Sequence, residues 1–190
     1  MNNPIKRRAA AALAAAALPV SLVVLAPSAG ANEQGTFGPG CSALPSEGPG
    51  SPQEMANDPV ATAASTNPEL STLTAALQEA DLVDTLNEAE DITVFAPTDD
   101  AFDKIPAADL DAILADKAQL TDILTYHVVE EPVEKSELAD GSFTTLEGGT
   151  LTTQGSGNTY EVNDTAKIVC GGVATSNATV HIIDTVLMPK

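Results

Sequence analysis

The spacing of the apolar residues changes once along this chain, and that change limits the fold more than any other feature of the sequence. Leu70, Leu73 and Leu77 recur at helical spacing, Leu82, Val83 and Leu86 extend the same surface, and Leu110, Ile113, Leu114, Leu120, Ile123 and Leu124 give two more helical faces. From Ser142 onward the chain is rich in Thr, Val, Gly and Asn. Strands are expected near 142–146, 150–154, 159–163, 166–169, 172–176 and 179–184, separated by Gly-Gly, Gly-Ser-Gly and Ser-Asn turns. Helices gathered first and an antiparallel meander gathered last predict an α+β domain, not an alternating βαβ fold. No internal repeat of useful length is visible.

Local signals sharpen this outline. In Asn67-Pro68-Glu69 the Asn can cap a helix, Pro suits its first position and Glu suits the positive end of its dipole, so the leucines that follow are read as one amphipathic core helix. Ile92-Thr93-Val94-Phe95-Ala96 reads as a short buried strand halted by Pro97. Thr98 with Asp99 and Asp100 then caps another short helix, whose Phe102 can fold back onto the strand. Tyr126-His127-Val128-Val129 returns the chain to extended structure.

Residues 1–31 are set apart as a secretory signal: Lys6, Arg7 and Arg8 precede an Ala/Leu/Val run that ends in Ala29-Gly30-Ala31, a small-x-small cleavage site. Pro19 interrupts the run, and no later segment is long and apolar enough to span a bilayer. Residues 32–52, rich in Gly, Pro and Ser, are expected to form an irregular leader, and residues 53–190 the domain. Removing the three basic signal residues takes the formal charge from -19 to -22. Such a field keeps an exported protein soluble, favours a monomer and disfavours nucleic acid, whose phosphates it repels. Cys41 and Cys170 both reach an oxidising compartment, so a disulfide is expected; with no Cys-x-x-Cys and no histidine beside either one in sequence, a redox or metal role has little support.

The catalytic classes are poorly served. Only His127 and His181 are present, and no Gly-x-Ser-x-Gly elbow, His-Glu-x-x-His helix or Gly-rich phosphate loop occurs. Adjacent acids such as Asp99-Asp100 and Glu130-Glu131 arise easily in an acidic chain, and a sugar cleft lined by aromatics is not expected where Trp is absent. The oxygen spacing of a calcium loop is also missing, so neither a metal nor a cofactor is indicated. Asn163-Asp164-Thr165 and Asn177-Ala178-Thr179 match the glycosylation triplet, but are read as strand-end turns.

Three blocks carry a family resemblance. Thr93-Val94-Phe95-Ala96-Pro97-Thr98-Asp99-Asp100-Ala101-Phe102 resembles the first signature of fasciclin domains, Tyr126-His127 the family's tyrosine-histidine pair, and Ala178-Thr179-Val180-His181-Ile182-Ile183-Asp184-Thr185-Val186-Leu187-Met188-Pro189 its closing block. The resemblance covers roughly residues 55 to 189. Together with Gly38-Pro39-Gly40-Cys41 and Val169-Cys170-Gly171-Gly172, it is similar to the mycobacterial secreted fasciclin antigens. It implies a fasciclin-type β-wedge or sandwich with a helical layer from the N-terminal half. It also implies a non-catalytic adhesion module, secreted or held in the cell envelope, that binds a host cell-surface or matrix protein near Tyr126 and His127. Both residues also have a purely structural reading, with Tyr126 packed at a helix end and His127 bonded to a backbone group that anchors the first block. A carrier of a small apolar ligand, held in a groove between helices and sheet, is the alternative.

Overall fold

The computed structural model of the protein describes residues 35–189, so the secretory signal read at residues 1–31 lies outside the described residues. The helical half begins with α1 (Pro52–Met55) and α2 (Val60–Thr66). Asn67 then accepts a hydrogen bond from the Glu69 amide in a 3-10 turn, Pro68–Leu70, that leads into α3 (Ser71–Glu79). The single helix expected from the leucine spacing is two, because Asp81 takes a left-handed φ of 56° and a separate α4 (Val83–Glu88) follows. Aspartate tolerates that conformation better than most residues. Neither break nor register change costs the core its leucines, for Leu70, Leu73, Leu77 and Leu86 are all buried.

Strand β1 (Ile92–Pro97) is buried at every position. Thr98 caps α5 (Asp99–Asp103) through its side chain, which accepts from the Ala101 amide, and α6 (Ala107–Ala115) and α7 (Lys117–Tyr126) complete the helices. The remaining strands are β2 (Val128–Val129), β3 (Asp140–Thr144), β4 (Thr150–Ser156), β5 (Thr159–Val162), β6 (Ala166–Ala174) and β7 (Ala178–Ile183). They form one sheet in the order β2-β1-β7-β6-β5-β4-β3, and an isolated bridge between Val129 and Thr145 draws its two ends together. The fold is α+β, as the change of spacing predicts.

The antiparallel meander runs from β3 to β7, with two departures from the expected pattern. The strands expected at 166–169 and 172–176 are one strand, β6, in which the glycine pair makes a bulge instead of a turn. A Cβ on Gly171 would lie 2.3 Å from the Phe37 ring and 2.8 Å from His181 Nδ1, so only glycine lets the leader approach there. The second departure is β1, which joins β7 in parallel, Ile92 opposite Ala178 through Pro97 opposite Ile183. This pair lies inside the sheet, flanked by β2 and β6. Val94, Ala96, Val180 and Ile182 face the helices, while Phe95 and Ile183 face a second cluster with Phe143, Leu151 and Ile168. Burial on both faces explains why both segments are nearly continuous apolar runs.

The leader is irregular but anchored. Phe37 exchanges backbone hydrogen bonds with Gly171, packs edge-on against Tyr160 with centroids 5.4 Å apart, and lies 4.8 Å beneath Lys135 Nζ. After it, a 3-10 turn (Pro39–Ala43) carries Cys41, which is disulfide-bonded to Cys170. Asn163 and Asp164, both at left-handed φ, form the β5–β6 turn.

Asn177 occupies the β6–β7 turn and joins it to the helices: its Oδ1 accepts from the Val60 amide at 2.8 Å, and its Nδ2 donates to the carbonyls of Leu86 at 2.8 Å and Ala89 at 2.6 Å. Asn177→Ala leaves those backbone groups unpaired and is expected to cost about 3 kcal/mol in urea unfolding. The disulfide closes a loop spanning a sequence separation of 129. The chain-entropy estimate for such a loop is about 5 kcal/mol, so reduction is expected to lower Tm by roughly 10 °C. An unchanged Tm with two titratable thiols would show that the bridge does not form.

Candidate functional site

Helix α7 ends in the pair singled out in the sequence. Tyr126 is its last residue and His127 its C-cap, with 3% and 2% of their surfaces exposed. The Tyr126 hydroxyl donates to the Thr150 carbonyl at 2.9 Å and accepts from Asn163 Nδ2 at 2.9 Å. Asn163 Oδ1 in turn accepts from the Thr152 amide at 2.9 Å, so one phenol ties α7 to β4 and to the β5–β6 turn.

His127 is fixed on three sides. Its carbonyl accepts from the Phe95 amide at 2.8 Å, its Nδ1 donates to the Ile123 carbonyl at 2.8 Å, and its Nε2 accepts from the Leu187 amide at 2.9 Å. Two of these partners belong to the first and last sequence blocks, so the three blocks, scattered in sequence, meet at one residue. Because Nε2 must accept, the imidazole is held neutral with its proton on Nδ1. Burial pushes its pKa down to about 4, partly opposed by the bond to Ile123.

His181 is also buried, between Phe95 at a centroid distance of 5.3 Å and Phe37 at 5.9 Å. Its Nδ1 accepts from the Gly172 amide at 3.2 Å, while its Nε2 has no hydrogen-bond partner. Burial lowers its pKa to about 4 as well, with the Val133 backbone opposing. Both histidines are thus buried, and each accepts a hydrogen bond from a backbone amide.

Beside Tyr126 is an open cleft of about 570 Å³, lined by Tyr126, Glu147, Thr150, Thr152, Asn163 and Pro189 among others. Next in sequence to Glu147 and Pro189 are Leu146 and Met188, exposed by 37% and 43%, the exposed large apolar side chains of the described residues. Sequence reasoning placed Leu146 in an expected strand and Met188 in the closing block without singling out either as exposed, since a single apolar residue carries no periodicity. Two apolar seams between helices and sheet, one bounded by Phe102, Leu124 and Val186 and one by Met55, Leu73 and Val180, hold about 10 Å³ each. That is the space of about one water.

The two histidines make stability depend on acid. Both have folded pKa values near 4, below the ordinary 6.5, so above pH 6.5 neither state binds their protons and the stability is intact. As pH falls from 6.5 to 4 only the unfolded chain takes up those protons, and each histidine is expected to remove up to about 3 kcal/mol. Urea midpoints measured across that range should fall, and histidine ring resonances should titrate near 4 in the folded protein. A titration midpoint at 6.5 for either ring would contradict this account.

Residues 68–189 match the family model for the Fasciclin domain. The immunogenic protein MPB70 of Mycobacterium bovis is 48% identical over 189 residues, covering 95% of this chain and 95% of that protein. The cell surface glycolipoprotein MPB83 of the same organism is 52% identical over 161 residues, covering 80% of this chain and 72% of that protein. Protein sll1483 of a Synechocystis strain is 38% identical over 125 residues, covering 65% of this chain and 69% of that protein. Among solved structures, a FAS1 domain pair from the insect cell adhesion molecule Fasciclin I superposes with a TM-score of 0.53 at 22% identity, covering 64% of this chain and 45% of that one, a likeness of fold alone. The family model, the mycobacterial relatives and the three blocks joined at His127 agree, and the chain belongs to the fasciclin domain family.

Proposed function

We propose that this protein is a non-catalytic adhesion module, secreted or held in the cell envelope, that binds a host cell-surface or matrix protein through the cleft beside Tyr126. The observation that carries this reading is the open cleft itself, with two exposed apolar side chains, Leu146 and Met188, each next in sequence to a residue that lines it. Exposed apolar side chains around a polar recess are the composition of a contact surface. Tyr126 and His127 serve this site by position, one shaping its wall and the other fixing the segment that ends in Pro189. The export signal and a relative named as a cell surface glycolipoprotein support the location. The two histidines, both buried and locked to backbone amides, support a role without acid–base chemistry.

The test is saturable binding of the purified mature protein to host cells and matrix proteins at physiological salt, which screens the chain's charge. The variant to compare is Leu146→Ser/Met188→Ser, since replacing the buried Tyr126 or His127 would disturb folding. A loss of about tenfold in affinity, with Tm unchanged, is expected for the double variant. Saturable binding retained would move the contact elsewhere on the domain, and no binding to any cell or matrix preparation would overturn the adhesion reading.

A further inference from the structure

A second recess lies under the disulfide-tethered 3-10 turn and shares no lining residue with the Tyr126 cleft. It encloses about 250 Å³. Its floor is apolar, made by Leu44, Val169, Cys170 and Ile182, and Ala43 stands at its rim. Three carboxylates and one ammonium also line it: Glu69, Asp100, Asp184 and Lys104. Lys104 is already committed, since its Nζ lies 3.2 Å from Asp184 Oδ2 and also donates to the Asp184 carbonyl and the Thr185 hydroxyl. Among the described residues neither Glu69 nor Asp100 has a cationic partner, and both are exposed.

We propose that this recess is a docking site for a basic side chain, a lysine, on a partner polypeptide. The floor matches an aliphatic stem, and the two uncommitted carboxylates match the ammonium at its end, the division of labour by which long basic side chains cover apolar surface while keeping the charge wet. Charge complementarity argues against an anionic or purely apolar occupant. The chain is strongly acidic, and Lys104, Lys117 and Lys135 are engaged by Asp184, Asp81 and Asn158, so the long-range field favours the approach of a basic partner that brings its own cation. The Cys41–Cys170 bridge fixes one wall against the floor, which holds the recess open without the partner.

The inference goes beyond the adhesion reading and can succeed or fail independently of it. The probe is an end-capped tetralysine peptide, titrated into the disulfide-intact mature protein while amide and methyl resonances are followed by NMR. Saturable shifts are expected at Leu44, Val169 and Ile182. Glu69→Gln/Asp100→Asn should weaken binding about tenfold. Ala43→Leu, which fills the recess from its rim, should weaken it similarly, whereas Asp109→Asn/Asp111→Asn, an equal charge change on α6, should leave it unchanged. Equal weakening by both charge pairs would show a diffuse electrostatic attraction and overturn the proposal. Shifts that do not saturate, or binding unaffected by Ala43→Leu in a variant with wild-type Tm, would overturn it as well.

Discussion

One residue holds the three sequence blocks of this fold together. The backbone carbonyl of His127 accepts from the Phe95 amide, and its ring can bond Ile123 and Leu187 at once only as a neutral imidazole with its proton on Nδ1, the form that burial favours. The parallel strand pair depends on this arrangement. β1 and β7 are remote in sequence and lie parallel, so no hairpin turn sets their register. The register is set by packing on both faces, and His127 reinforces it at the end where both strands stop, holding the Phe95 amide on one and the chain beyond the other. A donor at Nε2 would face the Leu187 amide and break the connection.

Much of this was legible in the sequence. The change from helical to alternating spacing predicted the order of elements, and the caps at Asn67 and Thr98 are formed by the side chains that sequence reasoning named. Phe102 does fold back among the residues that cover β1. What escaped has physical causes. α2 is built largely of alanine with threonine and serine, so it has little apolar contrast to register as a face, although Ala61, Ala63 and Ala64 are buried. The break at Asp81 rests on one backbone angle. At Gly171-Gly172 a turn and a bulge use the same residues, and only the approach of Phe37 from the leader decides between them.

The site divides in the same way. Sequence reasoning singled out Tyr126 and His127, and offered both a contact role and a structural one. Their burial and hydrogen bonds give each a structural part, and the exposed groups belong to flanking segments. This separation follows from what each task demands. A residue that must stay neutral and bonded to backbone amides tolerates little change, whereas an exposed residue on a turn can be replaced without disturbing the core.

The bridge between Cys41 and Cys170 has a consequence for survival outside the cell. Exposed loops of this domain, among them residues 130–132 after β2 and the turn at residues 157–158 between β4 and β5, lie between the two cysteines. A protease that cuts one such loop opens the ring without releasing a fragment, because the two pieces stay covalently joined and the sheet that spans them stays hydrogen-bonded. Two cuts within the ring are needed before any part can diffuse away. A nicked molecule at the cell surface would keep its shape and its contacts, and would show the damage only under reducing conditions.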